Sequence, residues 1–520
     1  MKTILIYIYF SCVYLSVFGQ NYWNNKYYFD RPAANSQGII YDVITNKYLV
    51  SGAMIDTNGY TASYMQSLSE DGLQNQISIL SGSDSIVYVF DPSDLIYNNG
   101  YYYVTGAVYY NSVPNSSRKG LLVKYNANLD TLFTRTYVGT GSYSDFIPRF
   151  QQVDNDSIFI VGGMAMNINH TLIDINGLLI IADSNGNELK RISYGGAVYM
   201  EEILDIQKSG NDWVCAAKKD HYLGKDSANN DIYDYRGMVL IYNKKGDLLK
   251  SYTTPEQDRW ANSVVATKDG GYAFCGTKEI GILSNNLGQK VFLHKGYLEK
   301  ISANMHRVWT ITLSKIDTTL NTQLLKIIEN IDGTLVAAGA DVDEYSNRHV
   351  SGWIVKLSAN GQVLWQRHHK AIQTPFEDHI FNDMCKAPDG GYALAGVAWD
   401  LSGQEPVGTN AWVCKTDSFG CLVPGCQTVG IAPSADIADH IKLYPNPAQS
   451  ELYLYFHTEK QPTGTSFRIW DMQGQEMVAN TPLLNSTTHI LRVQDWAKGL
   501  YFVEVRDKEG NVYTEKFVKE

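Results

Sequence analysis

The chain has 520 residues, a formal net charge of −11 and only 19% charged side chains. An acidic, sparsely charged surface argues against nucleic acid and against an anionic membrane face as partners. The length suits one large domain and one small one.

Residues 1–19 read as a secretory signal, with Lys2, an apolar run from Ile4 to Val17, and Phe18-Gly19 before Gln20. The run is shorter than the roughly 18 residues that span a bilayer. No other segment is apolar enough, so no transmembrane segment is expected. From residue 20 to 427 the sequence repeats. Short hydrophobic strands end on a small residue at Gly52, Gly106, Gly162, Ala217, Gly276, Gly339 and Gly396, about every 57 residues. A second column opens the following strand at Gly120, Gly177, Gly237, Gly296, Gly352 and Ala411. Asn99-Gly100, Asp269-Gly270, Asp332-Gly333 and Asp389-Gly390 supply the positive φ angles of tight hairpins.

Four strands per unit, lettered a to d from the axis outward, predict an all-β fold. Seven such units make a seven-bladed β-propeller. The small residue closing strand b is expected where neighbouring blades converge. The seventh unit offers no strand d after Gly420, and the segment around Trp23 is expected to supply it and clasp the ring. The 36 tyrosines supply an aromatic core or, alternatively, sugar-stacking surfaces.

Cys421 and Cys426, in Gly420-Cys421-Leu422-Val423-Pro424-Gly425-Cys426, read as a local disulfide. Cys215, Cys275, Cys385 and Cys414 fall within strands and read as buried thiols. Paired C-x-x-C spacing is absent, so no metal is expected. Residues 428–439 form a small-residue, polar linker. From 440 to 520, period-two alternation with Gly and Asn turns predicts a small β-sandwich. Four elements follow in order: Tyr444-Pro445-Asn446-Pro447-Ala448, then Asp471 with Gly474, then Gly499-Leu500-Tyr501, then a basic last strand with Lys516. This order resembles the type A C-terminal sorting domain of the type IX secretion system of Bacteroidota. The resemblance implies handling by that machinery and export through the periplasm across the outer membrane. Release, or attachment to surface lipopolysaccharide, would follow. The preceding repeats are similar to uncharacterised propellers with Asp-Gly-Gly-Tyr repeats.

The a–b and c–d turns are mostly short, whereas the b–c and d–a loops on the opposite face are long. Long loops on a rigid scaffold are where binding usually resides. The candidates there are His221, Tyr222, Asp226, Tyr233 and Tyr235 in unit four, and Trp260 leading into unit five. Asp341, Asp343, Arg348 and His349 in unit six and Asp378 and His379 in unit seven complete the set. Each has an ordinary alternative, since Asp in long loops caps turns. No cofactor is required. Calcium is raised only by the oxygen-rich Asp341-x-Asp343-Glu344, which lacks EF-hand spacing and its glycine. Serine-hydrolase elbows, phosphate-cradling Gly loops and H-E-x-x-H are absent. The leading expectation is an exported or cell-surface binding protein engaging a glycan or a protein, and not an enzyme. An extracellular polysaccharide hydrolase or lyase is the alternative, and a structural surface or adhesion component is the third reading.

Overall fold

The computed structural model describes residues 22–422, 426 and 441–520, apart from 28, 30–32, 91–94, 111–117, 139–144, 155–156, 169–171, 196–198, 226–230, 285–289, 314–321, 343–349, 372–376, 401–407, 457–465, 472–474, 483–487 and 507–511. The expected secretory signal and linker lie outside these residues. The chain divides into two compact units, Met1–Val423 and Pro424–Glu520.

Among the described residues, the first unit contains seven antiparallel sheets. Sheet 1 pairs Ala34–Asp42, Lys47–Ile55, Thr61–Leu68 and Gln74–Leu80 in that order, strands a to d. In sheet 2 the inner strand is split into Ile86–Val89 and Ile96–Asn98. Sheets 3 to 6 repeat the order of sheet 1, with inner strands Asp145–Asp154, Tyr199–Ser209, Arg259–Ala266 and Gln323–Glu329. Sheet 7 pairs Glu377–Lys386, Tyr392–Asp400 and Gly408–Thr416, and its outer strand is Trp23–Tyr27. There Lys26 lies opposite Trp412, and Trp23 opposite Lys415. The outer strand of sheet 7 is thus supplied from the N-terminal side of the unit. Cys421 and Cys426 are disulfide-bonded, and Cys215, Cys275 and Cys414 are buried free thiols.

Apolar side chains fill the space between each sheet and the next. Leu49 and Met65 of sheet 1 meet Tyr102 and Val104 of sheet 2. Equivalent clusters join sheets 2 to 3, 3 to 4, 4 to 5, 5 to 6 and 6 to 7. The circuit then closes, because Ala393, Ala395 and Val413 of sheet 7 pack on Tyr48, Val50 and Tyr64 of sheet 1.

The small-residue column has a local cause. In sheets 1 and 3 to 7 the a–b register slips by one residue, leaving Gln37, Arg149, Leu204, Asn262, Leu325 or Asn382 as the extra residue of a β-bulge. Directly before each slip, the strand-b small residue is the partner: Gly52 of Ser36, Gly276 of Ala261, Gly339 of Leu324, Gly396 of Phe381. A Cβ on Gly52 would stand 2.0 Å from the Asn35 carbonyl oxygen, and one on Gly276 only 1.7 Å from that of Trp260. Gly339 and Gly396 meet the Gln323 and Ile380 carbonyls in the same way. Glycine is therefore demanded by the bulged strand of its own sheet rather than by a neighbouring blade. Sheet 4 keeps the slip with Ala217.

A second slip recurs where the outer strands of sheets 1 to 6 begin, and the residue after it reaches the c–d turn of the next sheet. Gln76 donates to the Asn128 carbonyl, Lys190 Nζ to Lys245 O at 2.6 Å and Lys250 Nζ to Ala303 O at 2.9 Å. Trp309 Nε1 donates to Ala359 O at 3.0 Å, and Trp365 covers Gly420. Trp23 completes this series. Its Nε1 donates to Glu70 O at 2.9 Å, and its ring covers Gly72 of sheet 1, a glycine with φ +78°.

In the second unit, Ile441–Tyr444, Glu451–Phe456 and Thr488–Arg492 form one sheet, and Glu476–Pro482, Ser466–Asp471, Gly499–Arg506 and Val512–Lys519 form another. One apolar cluster, including Leu452, Leu454, Phe467, Ile469, Val503 and Phe517, joins both. Asn446 anchors the last strand: its Nδ2 donates to Lys516 O at 3.2 Å, and its Oδ1 accepts from Val518 N at 2.9 Å. Tyr501 stacks on Phe517 and donates to Ala497 O at 2.8 Å. Gly499 lies opposite Lys519, Lys516 is exposed, and Tyr444 stacks on Tyr453. Pro445 and Pro447 flank Asn446, and both follow cis peptide bonds. Gly474 lies outside the described residues.

Trp23 is buried and meets Tyr48 edge-on at 5.7 Å. Trp23→Ala is expected to lower the stability of the first unit by about 3 kcal/mol, read as a drop in the urea midpoint of the full-length protein. An unchanged midpoint would show that closure does not depend on this strand.

Candidate functional site

The bulges decide where a cavity opens. Leu204, Asn262, Leu325 and Asn382, the extra residues of four inner strands, line a cavity of about 370 Å³ at the long-loop end of sheets 4 to 7. Glu202, Lys218, Trp260, Thr277, His294 and Gln323 complete its wall. Asn262 Nδ2 donates to Leu324 O of the next sheet at 2.9 Å, and Asn382 Nδ2 to Ser36 O at 2.9 Å. Both side chains are therefore held in place.

In sheets 4 to 7 the residue after the bulge turns toward a neighbouring sheet and makes a belt below the cavity. Asp205 accepts from Ser263 Oγ at 2.7 Å and from Val264 N at 2.9 Å. Ile327 N donates to Ser263 Oγ at 3.3 Å. Lys326 pairs with Asp383 at 3.5 Å, and Asp383 accepts from Ile39 N at 2.8 Å. Burial raises the Asp383 carboxyl above the ordinary range, with Lys326 opposing. On the other side of the belt, Ile39, Leu95, Ile327 and Met384 wall a second cavity of about 560 Å³.

Two features mark the first cavity chemically. One is an aromatic run, with Tyr235 and Trp260 at 5.1 Å and Trp260 and His294 at 5.1 Å between centroids. Burial lowers the pKa of His294, favouring the neutral imidazole. The other is a charged row. Strand register sets Glu202 opposite Lys218 and Asp220 opposite Tyr235, so all four stand on one face of sheet 4. Lys218 Nζ lies 3.3 Å from Glu202 Oε2 and 3.9 Å from Asp220 Oδ2. Asp220 is 5% exposed, and its Oδ1 has no hydrogen-bond partner among the described residues. Burial pushes its pKa up to about 6, with Lys218 opposing and Glu202 adding to the rise.

The residues singled out from the sequence are placed unequally. Trp260 lines the cavity and Tyr235 packs against it. His221, Tyr222 and Tyr233 sit on the same paired strands of sheet 4, Tyr222 opposite Tyr233. Asp341 is buried and accepts from or pairs with His368 Nε2 at 3.2 Å. Asp378 Oδ1 accepts from Val350 N at 2.9 Å. His379 is fully buried, edge-on to Trp412 at 5.3 Å, and burial lowers its pKa to about 3. Asp226, Asp343, Arg348 and His349 lie outside the described residues. Among the described residues no group of three or more His, Cys, Asp or Glu side chains could hold a metal ion. Glu202, Lys218, Asn262 and His294 were not legible as site residues. The signal that could have found the bulged ones is the small-residue column, because it lies beside each bulge.

Residues 442–520 match the family described as the secretion system C-terminal sorting domain. The tail is an export address. It marks the chain as a secreted or cell-surface protein, and no helix among the described residues is long and apolar enough to cross a membrane. No curated protein matches the sequence. Among solved structures, the chain is similar to the extracellular region of plexin A4, with 8% identity, TM-score 0.42, and 94% of this chain and 67% of that one covered. It is also similar to an extracellular domain assigned to a hybrid two-component system of B. thetaiotaomicron, with 10% identity, TM-score 0.41, and 96% and 57% covered. A third is the β-propeller domain of the trilobed protease from Pyrococcus furiosus, with 7% identity, TM-score 0.39, and 78% and 99% covered.

A carboxyl whose folded pKa is raised contributes stability below its ordinary value of 3.8, and that stability is lost as pH rises through about 6. Asp220→Asn removes this penalty. The variant is expected to exceed the wild type by on the order of 1–3 kcal/mol at about pH 7.5, with the gain vanishing near pH 4. Urea unfolding at the two pH values measures it. A loss at the higher pH would show that the Lys218 pair outweighs burial.

Proposed function

We propose that the first unit, residues 20–427, is a seven-bladed β-propeller that binds a glycan in the cavity at its long-loop end. The observation that carries this reading is the Trp260 wall set among polar side chains. A sugar ring offers an apolar face for stacking and a rim of hydroxyls for hydrogen bonds. Trp260 suits the face; Glu202, Gln323, Thr277 and the bulged Asn262 and Asn382 suit the rim. A cavity of about 370 Å³ suits a sugar unit better than a folded protein surface. The second unit, residues 440–520 after a linker at 428–439, is a β-sandwich that delivers the propeller through the type IX machinery. Its family match supports that route, and the ligand is then met outside the cell.

Trp260→Ala should weaken binding to any glycan identified on an array by at least about tenfold in calorimetry, since stacking is the main apolar contact on offer. Unchanged affinity would remove the cavity from the reading. Deleting residues 440–520 should leave the propeller folded and stranded in the periplasm, because the apolar cluster of each unit is built from its own residues. Export of the truncated chain would defeat the sorting assignment.

A further inference from the structure

We propose that the second cavity, on the short-turn side of the belt, takes up the hydrocarbon chain of a fatty acid, with Lys268 and Lys386 receiving its carboxylate at the mouth. The position follows from the inner strands. Those of sheets 1, 2 and 4 to 7 end at Asp42, Asn98, Ser209, Ala266, Glu329 and Lys386. Residues from the last few places of each line this cavity of about 560 Å³, a volume within the roughly 300–1,000 Å³ of small-molecule sites. At its inner end Lys326 and Asp383 are already paired with each other at 3.5 Å. The wall is apolar where it is open: Ile40, Ile96, Val265 and Ile328 are half-buried, and each comes from a different sheet. The a–b turns continue this chemistry at the rim. Val43 and Ile44, in the turn after Asp42, are each 71% exposed, and Ile331, in the turn after Glu329, is 86% exposed. Among the described residues no large hydrophobic side chain is more exposed than these three. A single exposed aliphatic residue is ordinary, but three in the turns that follow one apolar wall mark a binding mouth.

The charges at that mouth decide the head group. Lys386 is exposed and lines the cavity, and its Nζ donates to Glu329 O, leaving its other N–H groups open. Lys268 is exposed in the a–b turn of sheet 5, and its ammonium forms no hydrogen bond or ion pair among the described residues. It acts on Lys386 electrostatically, as do Glu329 and Asp332. Those two carboxylates are already engaged. Glu329 accepts from Lys268 N with both oxygens at 3.0 Å. Asp332 Oδ1 accepts from Thr334 N at 3.0 Å, and Lys356 acts on the same carboxylate. Cations with open donor positions therefore stand beside carboxylates that are occupied, an arrangement that favours an anionic head over a cationic one. A fatty acid joins such a head to the aliphatic chain that wall and rim would cover.

The test titrates the purified full-length chain in a calorimeter with sodium octanoate, decanoate and dodecanoate below their micelle concentrations, and with 1-dodecanol. The expected result is one site per chain, with affinity rising on the order of tenfold for each two methylenes added. 1-Dodecanol, which lacks the charge, should bind at least about tenfold more weakly than dodecanoate. The double variant Lys268→Glu, Lys386→Glu should lose at least about tenfold in dodecanoate affinity. Affinity that does not depend on chain length overturns the proposal, and so does 1-dodecanol binding as tightly as dodecanoate. Full dodecanoate affinity in the double variant does the same. Adsorption of the chain to phosphatidylglycerol vesicles without uptake of dodecanoate also overturns it, because the lysines would then meet a lipid surface and not a single chain. If the double variant does not fold, the wild-type chain-length series and the 1-dodecanol comparison decide. The belt separates this cavity from the glycan site, so failure here leaves the glycan reading standing.

Discussion

A backbone carbonyl oxygen 2.0 Å from where a Cβ would stand, as Asn35 O is beside Gly52, leaves a strand almost no choice but glycine. This close approach is produced by the bulge of strand a, and it recurs at Gly276, Gly339 and Gly396. In sheets 4 to 7 the bulge in turn sends one extra residue toward the cavity and swings the next toward the neighbouring sheet. Asn262 and Ser263 show both outcomes in two consecutive residues: one lines the cavity, and the other bonds Asp205 of sheet 4 and the backbone of sheet 6. Scaffold and site therefore share one backbone device.

The circuit of sheets is held at three radii. Near the axis, the belt from Asp205 to Ile39 links sheets 4, 5, 6, 7 and 1 through buried polar contacts. Between the sheets, apolar clusters supply the non-directional attraction. At the rim, side chains such as Lys250 and Trp309 bond to carbonyls of the next c–d turn. Trp23 takes part at the last two levels, which explains how a five-residue strand from the far end of the chain completes sheet 7. A frame tied in this way is rigid, and rigidity suits a cavity whose polar groups must hold their positions without a ligand.

The charged row of sheet 4 is unusual against that frame. Several carboxylates among the described residues of the first unit cap turns, as Asp183 does with Asn185 and Asn187. Asp220 caps no turn; it lies 3.9 Å from Lys218, and burial raises the cost of its negative charge. In the second unit the polar contacts have a different purpose. Asn446 and Ala448 fasten the last strand, so the two outermost motifs of the sorting tail form one joined surface.

Much of the architecture was determined by the sequence alone. Repetition of YLVSG-like strands, Asp-Gly hairpins and the lack of a strand after Gly420 are local signals, because turn chemistry and strand alternation act over a few residues. The motifs from Tyr444 to Lys516 were legible for the same reason. Trp260 could be chosen as a large aromatic residue where a long loop enters a strand. Glu202, Lys218, Asn262 and His294 could not, since each looks like an ordinary strand residue. Their convergence depends on a one-residue slip of register, and such a slip reverses which face a side chain occupies. His379 shows the converse. It had the look of a loop-face histidine, but packing against Trp412 buried it. Which side chains share a cavity is set by contacts between sheets that lie about 60 residues apart in sequence, and only the folded chain brings those together.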